Sequence, residues 1–259
     1  MTNIVIIDKV KKSGNTGKIV RLIKYISTII ENIDDVSNIF IKYDNEWNNT
    51  MNCIFMDVDT LIPDKTLIFD KSVQEKGQIG INLKNIKANN NFNTLKSIAQ
   101  KIKFINMDIP NLNNITNKTL GIHIRLTDMN ETHGNIYGIK TYDDYKNAIK
   151  KYLDEHIIDN IFLASDNKES IVKLQSDFPN IKIYYNSNTI IIDKEIRNNK
   201  EKTYECGQNP NDFKNEFLYK EVLYDVFCLS KCKSLIYRTS NVSNLAILLS
   251  NTLENIVLI

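Results

Sequence analysis

The chain has 259 residues, of which 42% are hydrophobic and 25% charged, with a formal net charge of +2. That is the profile of an ordinary soluble globular protein, long enough for one large or two small domains. It excludes a general nucleic-acid binder, which would carry a strong basic excess on one face.

At the start, residues 3–8 form a β-branched run typical of a first parallel strand. The stretch has no basic segment ahead of it and is too short for a signal peptide. No other stretch reaches the roughly 18 apolar residues that span a bilayer, so the expectation is a cytoplasmic protein with no transmembrane segment. A loop with Gly14 and Gly17 follows, then Ile19, Val20, Leu22, Ile23, Ile26, Ile29 and Ile30 at helical spacing. Gly17-Lys18 does not complete a P-loop, because Lys12 stands where the first glycine is required and Ile19 where Ser or Thr is required. A glycine loop feeding a helix still offers free N–H groups to an anion or a sugar hydroxyl, which makes Gly14 and Asn15 candidate ligand contacts. Short apolar stretches at 38–43, 53–58, 66–69 and 79–82 read as strands. Residues 93–105 carry helical periodicity through Leu95, Ile98, Ala99, Ile102 and Ile105. The polar, Pro-containing stretch 106–114 has no period and reads as a linker, placing a domain at 1–114 and a second at 115–259.

Beyond the linker, strands and helices alternate. A strand is expected over 119–125. Thr141 is expected to cap a helix running to about 154, with Asp144 completing a capping box. A strand at 160–165 ends in Asp166, and a helix over 168–178 is stopped by Pro179. Strands at 181–185 and 190–192 precede a long polar loop, 194–211. A long amphipathic helix over 212–231, a strand at 234–237, a helix over 242–250 and a last strand at 255–259 complete the chain. This alternation predicts an α/β fold with a parallel sheet covered on both faces. Of the cysteines Cys53, Cys206, Cys228 and Cys232, none has a zinc-site spacing, and Cys228 and Cys232 read as small buried apolar residues.

Three strand ends carry polar groups: His123, Arg125 and Asp128; Ser165 and Asp166; and Arg238, Thr239, Ser240 and Asn241. In a parallel sheet all three fall at one edge, the edge where α/β folds bind ligands. A cation beside a helix amino terminus suits a phosphate. A carboxylate such as Asp166 accepts paired hydrogen bonds from a guanine edge or from ribose hydroxyls. The combination points to a nucleotide-diphosphate ligand.

The stretch Gly121-Ile122-His123-Ile124-Arg125-Leu126-Thr127-Asp128 resembles the His-x-Arg-Arg-x-Asp motif of the fucosyltransferase superfamily. Ile161–Asn167 is similar to that group's strand-then-Asp motif, and Glu221–Cys232 with Leu235–Ser243 to its third motif of helix, strand and hydroxyl-bearing turn. The resemblance covers roughly residues 117–250. It implies a glycosyltransferase-B-like architecture of two Rossmann-like domains, the carboxyl-terminal one binding the nucleotide-sugar. It further implies inverting, metal-independent transfer of fucose from GDP-fucose to a glycan or glycoconjugate acceptor, with no other cofactor. Arg125 would contact the β-phosphate, and His123 would position the donor. Asp166 and Ser165 would serve the nucleotide, and Arg238, Thr239, Ser240 and Ser243 its phosphate or ribose oxygens. The motif's second arginine is Leu126 here. Asp128, Glu131 and His133 remain alternatives for the general base. Two further readings stand beside this one: transfer from a different nucleotide-sugar, and a non-catalytic nucleotide-sugar or glycan-binding module.

Overall fold

The computed structural model describes residues 2–7, 15–32, 36–42, 54–56, 66–69, 79–80, 91–104, 112–126, 138–186 and 216–259. It divides into two compact units, Met1–Met107 and Asp108–Ile259. The sequence boundary was placed at 114/115.

In the first unit, β1 (Thr2–Ile7) is followed by α1 (Asn15–Asn32) and β2 (Val36–Lys42). Then come β3 (Ile54–Met56), β4 (Thr66–Phe69), β5 (Ile79–Gly80), α2 (Phe92–Ala99) and β6 (Ile102–Phe104). β4, β2, β1 and β5 form a parallel sheet in that order, and β3 pairs antiparallel with β6. The expected apolar face of α1 is real: Ile19, Leu22, Ile23 and Ile26 are fully buried. The helix expected over 93–105 is shorter. It ends at Ala99, Gln100 donates its N–H to the Lys96 carbonyl, and the chain turns into β6. Ile98 and Ile102 are both buried. One run of apolar residues therefore serves a helix and then a strand, which is why its spacing reads as a single helix.

The second unit has a 3-10 turn at Leu112–Asn114, then β7 (Thr119–Ile124), α3 (Tyr142–Glu155), β8 (Asn160–Ser165), α4 (Lys168–Asp177) and β9 (Lys182–Tyr185). It continues with α5 (Glu216–Lys231), β10 (Ser234–Tyr237), α6 (Asn241–Leu249) and β11 (Asn255–Leu258). The five strands are all parallel, in the order β11-β10-β7-β8-β9. The sheet starts at β7, grows outward through β8 and β9, then returns to add β10 and β11 on the other side. This is the doubly wound pattern, and its switch point lies between β7 and β10. The expected strand at 190–192 and the loop at 194–211 lie outside the described residues, as do 105–111 of the linker.

β7 and β8 are buried along their whole length, as central strands covered on both faces must be. Leu120, Ile122 and Ile124 join one core with Tyr142, Tyr145 and Ile149 of α3 and Ile171 and Leu174 of α4. Burial of each aliphatic side chain there contributes about 1.5–3 kcal/mol. Alternate residues of β7 face α5. A Cβ on Gly121 would stand 3.1 Å from Cys232 Sγ and 3.2 Å from Leu229 Cδ2, so glycine permits this close helix–strand approach. Cys228 and Cys232 are buried free thiols whose pKa values burial pushes up, in keeping with small apolar residues. Asp177 ties α4 to α3 by accepting from Lys146 Nζ at 2.6 Å and from the Tyr142 hydroxyl at 2.9 Å. Among the described residues no helix is long and apolar enough to cross a membrane.

Candidate functional site

β7, β8 and β10 are neighbours running the same way. Their register pairs Ile124 with Ser165 and His123 with Tyr237. The chain therefore leaves the sheet at Arg125, Asp166 and Arg238 along one edge, with the β7/β10 switch point in the middle. The three polar strand ends foreseen from the sequence come together.

Arg125 Nε stands 3.8 Å from Asp166 Oδ2, with the two side chains 27% and 19% exposed. A partly exposed pair at that separation contributes at most about 1 kcal/mol. The fold does not depend on it, and both charges sit where a ligand can reach them. Asp166 is not the cap of α4, although Asp is a favoured cap residue. Asn167 takes that position, its Oδ1 accepting the Ser170 N–H at 3.1 Å. Ser165 is buried, and its hydroxyl accepts the Asn167 N–H at 3.2 Å.

His123 is only 6% exposed, and its Nδ1 lies 3.3 Å from Ser240 Oγ. Burial, then the neighbouring Arg125 charge, push its pKa down to about 3. It is a neutral imidazole spanning from β7 to the start of α6, and it brings no positive charge to a phosphate. Ser240 caps α6: its hydroxyl accepts the Ser243 N–H, and Ser243 Oγ accepts the Ser240 N–H, each at 3.1 Å. Ser243 Oγ also donates to the Arg238 carbonyl at 2.9 Å. Both serine hydroxyls are thus engaged in building the helix start, which aims its amino terminus at the edge carrying Arg125. Thr239 is half-buried between them and Arg238.

Arg238 is 2% exposed, and its Nη2 donates to the Gly138 carbonyl. Leu126, standing in place of a second arginine, packs against the core on the α3 side. Gly14, Asp128, Glu131 and His133 lie outside the described residues. Asn15 is the first residue of α1 in the other unit. Among the described residues no group of three or more His, Cys, Asp or Glu side chains could hold a metal ion.

Two polar residues near this edge were passed over in the sequence. Tyr145 is one of the buried residues of α3, with Tyr142, Ile149 and Tyr152. It is fully buried, and its hydroxyl faces the Arg125 main chain without reaching good hydrogen-bond geometry. Burial pushes its pKa up to about 12, so it stays protonated. Asp225 is a buried carboxylate on α5. It shares the helix face of Leu229 and Cys232, which pack toward the sheet. Two turns, roughly 10 Å, separate it from Cys232. Because α5 runs back against the strand that follows it, that distance carries Asp225 toward the carboxyl edge. The available signal was a lone charge inside Val222–Phe227.

No protein-family model matches the chain, and no curated protein does. Solved structures do. The fucosyltransferase NodZ from Bradyrhizobium superposes with a TM-score of 0.60 at 14% identity, covering 96% of this chain and 94% of that one. NodZ α-1,6-fucosyltransferase co-crystallised with GDP gives 0.62 at 13% identity, with 96% and 93% covered. POFUT1 in complex with GDP gives 0.54 at 6% identity, with 99% and 98% covered. At these identities the likeness shows the fold alone: the chain shares the fold of these fucosyltransferase structures, a mixed α/β architecture with parallel sheets. The resemblance carried by the His123–Asp128 stretch is borne out at that level.

Proposed function

We propose that this chain is an inverting glycosyltransferase that moves fucose from GDP-fucose to a hydroxyl of a glycan acceptor. The observation that carries the reading is the shared edge. Arg125, Asp166 and the amino terminus of α6 converge at the switch point of a doubly wound sheet. The GDP present in two of the structural neighbours supports the choice of nucleotide. In this reading the five-stranded unit takes the donor and the first unit serves the acceptor, a glycosyltransferase-B arrangement.

The acceptor oxygen attacks the anomeric carbon, the bond from that carbon to the phosphate oxygen breaks, and GDP leaves with the electron pair. The Arg125 guanidinium stabilises the charge that builds on the β-phosphate, the role in which a preorganised donor contributes most. The α6 amino terminus adds backbone N–H groups to the same anion. Asp166, and Asp225 as a second carboxylate, suit the guanine or ribose donors. His123, held neutral, positions the start of α6 through Ser240. One of Asp128, Glu131 or His133 takes the acceptor proton. No metal ion and no cofactor beyond the donor is invoked.

Leu126 favours one competing reading, a module that binds a nucleotide-sugar without turning it over. Another nucleotide-sugar as donor is the third. Calorimetry with GDP, UDP and ADP, followed by a product assay with GDP-fucose over a panel of glycans, separates the three. The proposal expects GDP to bind more tightly than the other two and a fucosylated product to form. Tight UDP binding with none to GDP removes the fucose donor, and GDP-fucose binding without any product makes the chain a binding module.

A further inference from the structure

We propose that Arg238 is a positioning residue for the transfer step: it pins the backbone at Gly138, and with it the start of α3, to the carboxyl edge of β10 beside Arg125. Its effect on turnover rests on the functional reading above, while the contact itself does not.

Arg238 is among the largest fully buried side chains of the described residues. Burying a guanidinium is costly, and each donor that the protein meets offsets part of that cost. It stands one residue past Tyr237, which pairs with His123. From there Nη2 reaches the carbonyl of Gly138, a residue distant in sequence. Gly138 has φ +74°, and no atom lies within 4 Å of where a Cβ would stand. The glycine is needed for its left-handed backbone and not for want of room, so its conformation is what presents the carbonyl to Arg238.

Packing does not hold this approach to α3, since Gly138, Ile139 and Thr141 are exposed. Ile139 is 72% exposed. Two polar devices hold it instead. One is the Arg238 bond. The other is the capping box, in which the Asp144 carboxylate accepts the Thr141 N–H at 2.7 Å and the Thr141 hydroxyl at 3.0 Å. In the first turn of α3, Tyr145 places its hydroxyl against the Arg125 main chain. The Arg238 bond thus ties the approach to α3 to the edge of β10, and Tyr145 of α3 is buried in the core that also holds Ile124, the residue before Arg125.

The test compares Arg238→Gln, Arg238→Lys and Gly138→Ala with the wild type. Amide hydrogen exchange over Gly138–Tyr142 is read first, then GDP affinity, then kcat and KM for GDP-fucose. Lysine keeps the charge but loses the planar fork. The expected result is faster exchange at Gly138–Tyr142 by about tenfold in all three variants, with β10 and β11 unchanged. Turnover falls by roughly 10- to 100-fold while the Kd for GDP stays within about threefold, since misplacement acts on the reaction more than on binding. Unchanged exchange overturns the pin. Loss of GDP affinity in Arg238→Gln, with Gly138→Ala binding normally, also overturns it by making Arg238 a ligand contact. If the wild type neither binds GDP nor transfers fucose, the functional reading fails, and the exchange arm alone decides the pin.

Discussion

The two ends of the five-stranded sheet handle polar groups in opposite ways. At the amino ends the charged pairs, Lys118–Asp159 and Lys233–Glu254, lie out in solvent, and the groups beneath them are neutral and mutual. Thr119 Oγ1 donates to Asn160 Oδ1 at 2.6 Å, Ser234 Oγ meets the Tyr152 hydroxyl, and Asn255 Nδ2 donates to Ser234 Oγ at 3.4 Å. These are short side chains closing the bottom of a core, each satisfied by a neighbour. At the carboxyl ends stand two arginines, a carboxylate and a buried neutral histidine, with the Arg125–Asp166 pair loose and partly exposed. The first arrangement closes a core; the second leaves charged groups at the edge where open α/β sheets take ligands. That contrast supports the proposed site more than any one residue does.

The largest test of the contrast is Arg125→Ala. Removing a donor aimed at the leaving group is expected to lower kcat/KM by about 10²–10³-fold, with little change in Tm because the ion pair contributes so little. Full activity in that variant would falsify the role given to this edge.

Next comes pH. The folded pKa of His123, about 3, lies below the ordinary histidine value of 6.5. Its contribution to stability is therefore complete above pH 6.5 and is lost as pH falls from there toward 3. At pH 5 the loss amounts to roughly 2 kcal/mol. Urea unfolding between pH 7 and 5 should show this slope in the wild type and a flatter one in His123→Gln. Equal slopes would mean that the imidazole is not buried as described.

At the opposite edge, Thr119→Val strips Asn160 of its buried donor. It should cost about 1–2 kcal/mol of stability while leaving the Kd for GDP and turnover as they were. A change in either would erase the distinction between the two ends.

The smallest effect separates adjacent residues. Asn167→Ala should cost about 1 kcal/mol through loss of the α4 cap without weakening GDP. Asp166→Asn should do the reverse, and matching phenotypes for the two would count against the assignment of Asp166.

The second unit was legible because β7 and β8, buried on both faces, have to be near-continuous apolar runs, and because the capping box that starts α3 is written within four residues, Thr141 to Asp144. The convergence of three strand ends followed from parallel pairing alone. What was not legible depends on direction or distance. Asp166 and Asn167 are both able to cap, and only the local backbone decides between them. Ile102 keeps helical spacing with Ile98 but belongs to a strand. Tyr145 counts as a core aromatic until its hydroxyl is seen beneath Arg125. Arg238 could be placed at the edge, but nothing local announces its carbonyl acceptor so far away in the chain. His123 could be placed at the edge, but its neutrality is a product of burial and of the neighbouring Arg125 charge.

The most direct measurement is a crystal structure of the protein soaked with GDP. The account predicts the β-phosphate within hydrogen-bond distance of the Arg125 guanidinium, in the crevice between β7 and β10, with the nucleoside toward Asp166 or Asp225. GDP bound away from that crevice, or no binding at a concentration that saturates calorimetry, contradicts it.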